Sequence, residues 1–196
     1  MLEKLTTYTE VDGSNRLTVS DSEILVTNLS RKETAYVYKD FGANFFDKLD
    51  IRFNFRITSA DVNGVFCGPC LSNVVNAQLN LGTNAINTQI FRTSLDFRFT
   101  LEVMGVESQH ITISLNTTYY CKIERDAGGS AVTASLYTDE SMTTLHASVS
   151  CSCPTATKWR YFYGSNSRYD NIDRYISGYI RSVSIRRKNA APMFWW

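Results

Sequence analysis

Residues with the atom types of a binding site are concentrated late in the chain. In Ser165-Asn166-Ser167-Arg168-Tyr169-Asp170-Asn171-Ile172-Asp173-Arg174, the side chains of Asp170, Asn171 and Asp173 bring three hard oxygen donors close together. Such a set suits a calcium ion. Tyr169 beside them offers an apolar ring with a polar tip, a shape that stacks on a sugar. The plainer reading is a polar turn between two strands, built from Asn and Asp because they tolerate turn geometry. The sequence favours the turn and keeps calcium and carbohydrate as the alternative.

Thiols form the second group. Five cysteines occur, at Cys67, Cys70, Cys121, Cys151 and Cys153. Cys67-Gly68-Pro69-Cys70 together with Cys151-Ser152-Cys153 offers four thiolates to zinc, or a dithiol pair to redox chemistry. Against zinc, the second pair has poor knuckle spacing, and Cys121 and Cys151 fall where strands point inward. Against redox, the CxxC lacks a strand-to-helix setting. Packing is therefore the expected role, with any further role of the Cys67/Cys70 and Cys151/Cys153 pairs left open. An odd count, with no signal-peptide pattern in MLEKLTTYTE, argues against a disulfide framework. His110 and His146 lie in no nucleophile motif and read as surface strand residues.

The last residues, Met193-Phe194-Trp195-Trp196, form an apolar cluster after Asn189-Ala190-Ala191-Pro192. Leaving these side chains in water forfeits roughly 1.5–3 kcal/mol for each large one that could be buried. Something is expected to cover them, either the flank of the same domain or a partner in which Trp is a hot spot.

The elements that position these groups read as strands. In Tyr119-Tyr120-Cys121-Lys122-Ile123-Glu124-Arg125-Asp126 the odd positions are apolar, with Lys122 and Glu124 between them, and Ala127-Gly128-Gly129-Ser130 turns the chain. Val132, Ala134 and Leu136 then return on the same side, which makes a hairpin with one buried face. The same alternation runs through Leu49–Ile57 and Leu95–Val103. Further strands are expected at Leu17–Val19, Ile24–Val26, Glu33–Lys39, Val65–Ser72, Val74–Leu81, Ile86–Arg92, Ile111–Leu115, Leu145–Cys151, Trp159–Tyr163 and Tyr175–Arg186. In Glu33–Lys39, Tyr36 and Tyr38 face one way and Ala35 and Val37 the other. No apolar period of 3.6 persists over three turns. These patterns predict an all-β domain of two packed antiparallel sheets over residues 17–188, with residues 1–16 as an arm and 189–196 as the apolar tail.

Composition limits the function classes. The 196 residues are 43% hydrophobic and 20% charged, and 20 basic residues against 19 acidic leave a net charge of +1. No field of that size recruits nucleic acid or an anionic membrane, and no run reaches a membrane span. Arg186-Arg187-Lys188 reads as a solvated strand end.

Two stretches resemble a known family. Thr118–Asp126 with Leu136-Tyr137-Thr138-Asp139 resembles the hairpin signature of concanavalin A-like (laminin G-like) jelly rolls. Tyr175–Ile185, with Gly178 ahead of an alternating tail, resembles their last strand. The resemblance implies a two-sheet jelly-roll sandwich. Glucanases of that superfamily carry an E-x-D-x-x-E run; Glu102 and Glu107 are the nearest approach here, without the middle carboxylate and with Gly105 breaking the phase, so no enzyme is expected. Lectin-type members imply sugar binding through loops, often with calcium, which points to Tyr169, Asp170, Asn171 and Asp173. The resemblance also extends to phage virion accessory domains. The leading expectation is accordingly a virion component, a capsid decoration or fibre jelly roll assembled in the host cytoplasm. Its partners would be other virion proteins or copies of itself, anchored by Met193, Phe194, Trp195 and Trp196, with host glycan as a further partner. The alternative is a lectin-like carbohydrate-binding module, with calcium as its cofactor.

Overall fold

The computed structural model describes residues 2–76, 78 and 84–186. Short amphipathic runs separated by polar turns pair into two antiparallel sheets. The chain supplies β1 (Thr9–Asp12), β2 (Leu17–Val19), β3 (Glu23–Ser30), β4 (Ala35–Asp40), β5 (Leu49–Ala60), β6 (Val65–Ser72), β7 (Ile86–Arg92) and β8 (Phe97–Val103). It continues with β9 (Val106–Glu107), β10 (Ile111–Ile113), β11 (Tyr119–Arg125), β12 (Ala131–Tyr137), β13 (Leu145–Ser152), β14 (Tyr161–Asn166) and β15 (Tyr175–Ile185). One sheet has eight strands in the order β1-β4-β14-β6-β7-β8-β10, with β9 paired to β8; the other has seven, β13-β12-β11-β5-β15-β3-β2. This is the expected all-β sandwich of two antiparallel sheets.

The core lies between the sheets and follows the alternation of the sequence. Leu49, Ile51, Phe53, Phe55 and Ile57 of β5 are buried, and so are Phe99, Leu101 and Val103 of β8 opposite. The Phe55 ring stacks 5.8 Å from Phe99 and 5.8 Å from Tyr119, which ties β5 to both β8 and β11. Cys121 packs in this core. The final strand does not close an edge: β15 sits between β5 and β3. Gly178 is what lets it in, because a Cβ there would stand 2.4 Å from the Arg56 carbonyl oxygen.

Several expectations change. The N-terminal segment is not an irregular arm: Leu5 is fully buried, Tyr8 meets Phe162 edge-on at 6.1 Å, and β1 pairs with β4 in register. Two apolar side chains among polar neighbours are enough to dock it. Leu95 does not point inward; it is 89% exposed, in a turn where the Thr93 hydroxyl accepts from the backbone N–H groups of Leu95 and Asp96 at 3.1 and 3.0 Å. Leu115 and Leu145 are exposed as well. Trp159 precedes the aromatic strand, forming a single bridge with Phe46, and the strand runs on to Asn166. Val74 and Val75, read as the start of a strand, are exposed and lie outside any strand. Residues 77, 79–83 and the tail 187–196, with its anchor candidates Met193, Phe194, Trp195 and Trp196, lie outside the described residues.

Candidate functional site

The outer face of the eight-stranded sheet carries an unusual set of side chains. Register places Tyr38, Tyr163, Cys70, Asn87, Glu102 and Glu107 in one row across β4, β14, β6, β7, β8 and β9. A second row holds Tyr36, Asn166, Cys67, Gln89 and Thr100. These residues occupy alternate positions of strands whose other face fills the core, so the sheet has side chains packed on both sides. Tyr36, Tyr163, Cys67 and Cys70 form a separate buried apolar cluster with Val65 and Ala85, and Tyr38, Tyr161, Val11 and Phe91 pack around it.

Four tyrosine rings make a continuous patch. Tyr163 lies 5.9 Å from Tyr36 and 5.8 Å from Tyr38, and Tyr38 lies 6.1 Å from Tyr161. The Tyr163 hydroxyl donates to the Val74 carbonyl at 2.9 Å and accepts from the Asn76 N–H at 3.1 Å. Burial raises its phenol above the ordinary range. Tyr38 and Tyr161 are only half-buried and present ring surface outward.

A chain of polar contacts leads across the same face. Gln89 Nε2 donates to Glu102 Oε2 at 2.6 Å, and Arg168 Nη1 donates to Gln89 Oε1 at 2.7 Å. Arg168 Nε donates to Asp170 Oδ2 at 2.8 Å. Asp170 also accepts from Arg31 Nε at 2.9 Å and from Arg31 Nη2. Burial works against the Asp170 charge, but Arg31 and Arg168 more than offset it, so its carboxyl sits below the usual range. Donors and acceptors at both ends of the Gln89 amide fix its orientation.

The segment singled out in the sequence is therefore divided. Ser165, Asn166 and Ser167 are buried, the first two in β14. Tyr169 and Asn171 take left-handed backbone angles, φ 59° and 61°, and the Asp170 N–H donates to the Arg31 carbonyl at 2.8 Å, so the segment is a pinned turn. Tyr169 is 41% exposed. Asp173 pairs with Lys32 Nζ at 2.7 Å, and the hydrogen bonds from Lys32 and Tyr175 hold its carboxyl below the usual range. Both carboxylates are already engaged by cationic side chains, Asp170 by Arg31 and Arg168 and Asp173 by Lys32. Among the described residues no group of three or more His, Cys, Asp and Glu could hold a metal ion.

The cysteines are all free and buried. Cys67 and Cys70 flank a bulge of β6 on the outer face, and burial pushes the Cys67 thiol up to about 12. Glu102 and Glu107 are cross-strand partners in the β8–β9 hairpin.

The tyrosine patch and the Gln89–Glu102–Arg168 chain were not assembled from the sequence. One signal was present, the opposite parity of Tyr36 and Tyr38 to Ala35 and Val37. A strand with two tyrosines on its supposed solvent side asks what that side meets.

No family profile and no curated protein sequence matches this chain. Solved structures do resemble it in fold. The calcium-bound exoplasmic/lumenal domain of VIP36 superposes with a TM-score of 0.58 at 8% identity, covering 92% of this chain and 85% of that one. Alginate lyase from Alteromonas sp. 272 gives 0.57 at 9% identity, covering 93% and 96%. Peanut lectin with a bound 9-residue peptide gives 0.52 at 8% identity, covering 92% and 98%. The fold is the concanavalin A-like jelly roll. Identities this low carry the architecture alone.

Proposed function

We propose that this chain is a carbohydrate-binding module that uses the outer face of its eight-stranded sheet. The observation that carries the reading is that one sheet face carries half-buried tyrosine rings, Tyr38 and Tyr161, on β4 and β14 and, two to four strands further across, the fixed polar groups Gln89 and Glu102, with Arg168 on Gln89. Sugars present apolar C–H faces and a rim of hydroxyls, and aromatic planes beside oriented amides and carboxylates complement both. The architecture supports the reading, since VIP36 has been solved with Man3GlcNAc and calcium bound. Binding without cleavage suits Glu102, whose carboxylate is engaged by Gln89, and Tyr163, whose hydroxyl is tied to backbone on both sides.

The virion reading depends on the Met193–Trp196 cluster as an anchor for virion proteins or further copies of the chain. That cluster lies outside the described residues, and no feature of the sandwich favours assembly over sugar binding.

The test is a glycan array probed with and without calcium, followed by titration of the best hit against Tyr38→Ala and Tyr161→Ala. Loss of a stacking ring is expected to weaken binding about tenfold in each variant. An array with no hit in either condition overturns the proposal.

A further inference from the structure

Arg168 Nε faces Asp170 at 2.8 Å and Arg31 Nε faces it at 2.9 Å. Arg98 Nε faces Asp96 at 2.9 Å, and Arg160 Nη2 faces Asp40 at 2.6 Å beside the Tyr161 ring. These four guanidiniums are thus already matched by carboxylates. Glu102 is in the opposite position: the neutral amide of Gln89 donates to it at 2.6 Å, and Glu107 stands directly across from it in register. Two carboxylates therefore share one spot while the nearby cations are engaged elsewhere.

Neutral groups next to Glu102 add to this. Asn87, its cross-strand partner on β7, is 2% exposed, and its Oδ1 has no hydrogen-bond partner. Thr100, two residues before Glu102 on the same side of β8, is 1% exposed, and its Oγ1 also has none. Buried oxygens without partners are rare, and ordered water or a ligand hydroxyl is what ordinarily completes them. A sugar hydroxyl donates to the half-buried Glu102 carboxylate, whereas Asn87 Oδ1 and Thr100 Oγ1 are closed to a sugar and are completed only through a small bridging water beneath it. A uronate or sulfate brings another anion to Glu102 and Glu107, with no uncommitted guanidinium among these four to receive it.

Resting on the carbohydrate-binding reading above, we infer that the ligand of this face is an uncharged glycan whose hydroxyls donate to Glu102, and that acidic glycans are excluded. The test is calorimetric titration of the full chain with uncharged hexaoses (cellohexaose, mannohexaose and laminarihexaose) and with hexaguluronate, at low and at 0.5 M salt. At least one uncharged hexaose is expected to bind, about tenfold or more tighter than hexaguluronate. Glu102→Gln keeps the shape and removes the charge; with an unchanged melting temperature it is expected to weaken the uncharged ligand and narrow the gap to hexaguluronate. Hexaguluronate binding as tightly as the uncharged hexaoses overturns the inference while leaving a carbohydrate-binding module. Glu102→Gln with unaltered affinity for both removes Glu102 from the selection and overturns it as well. Binding of none of the four ligands overturns the inference, and the carbohydrate-binding reading falls with it only when the glycan array is also blank.

Discussion

The guanidinium of Arg125 lies 5.2 Å from the ring centre of Trp159, and both side chains are buried. Arg125 donates to the carbonyls of Gly129, Thr157, Pro154 and Thr155 at 3.0, 2.6, 2.9 and 3.1 Å. One planar cation thereby holds the turn after β11 and the segment before Trp159 together, while Trp159 Nε1 donates to the Asn84 carbonyl at 2.9 Å. Among the described residues no carboxylate is within ion-pair distance of Arg125, so backbone dipoles and the indole face carry its charge.

Replacing Arg125 with Lys keeps the charge and loses the fork that reaches four carbonyls. The expected cost is about 2–4 kcal/mol, read as a lowered urea midpoint with an unchanged slope. A variant as stable as the parent would show that the carbonyl contacts are dispensable.

Gly178→Ala forces a Cβ against the Arg56 carbonyl oxygen, 2.4 Å away, and to within 3.1 Å of Ile57 Cδ1. Backbone cannot retreat in the middle of a seven-stranded sheet without parting β15 from β5. A loss of about 3 kcal/mol or failure to fold is expected, monitored by thermal melting and soluble yield.

The five thiols should be silent in the native state, being free, buried and, for Cys67, held in the thiol form by a pKa pushed up to about 12. Ellman's reagent at pH 8 is expected to titrate less than about one equivalent in buffer and all five in denaturant. Rapid reaction of two thiols in the native protein would reopen a chemical role for Cys67 and Cys70.

Asp170 ties two guanidiniums, and its folded carboxyl lies below the unfolded value of about 3.9. Its contribution to stability is therefore fully present above that pH and is lost as the pH falls through the folded value. Asp170→Asn is expected to destabilise by about 2–4 kcal/mol at pH 7. The gap between variant and parent should narrow in chemical denaturation as the pH falls through the lowered folded value. A gap independent of pH would mean the residue acts through shape alone.

The sequence disclosed those parts of the sandwich where one strand face meets water. Leu49–Ile57 alternates because Arg52, Asn54 and Arg56 remain partly solvated while their neighbours are buried, and the β11–β12 hairpin reads the same way. The pattern misled where exposure did not follow hydropathy. Leu95 continued the phase of β8, yet the Thr93 turn had already carried it off the sheet. β6 is buried at every position, so its parity marks no face. The candidate site was harder still. Gln89, Glu102, Arg168 and Arg31 lie far apart along the chain, and only strand register and the pinned Asp170 turn bring them together. Asp170 and Asp173 looked like ligands by composition, but Arg31 and Lys32, more than a hundred residues earlier, supply the positive charge they answer to.

The central position of β15 governs when the protein can exist as well as what holds it. Asn28 N–H reaches the Ser177 hydroxyl from 149 residues away, and β3 and β5 are neighbours only through the strand between them. A nascent chain that has not yet delivered Tyr175–Ile185 carries two open strand edges with apolar faces and no partner for either. Native structure in the seven-stranded sheet must then wait for β15, and with so many distant pairings its formation is slow. Two unpaired edges exposed until β15 arrives are the burden this topology places on folding.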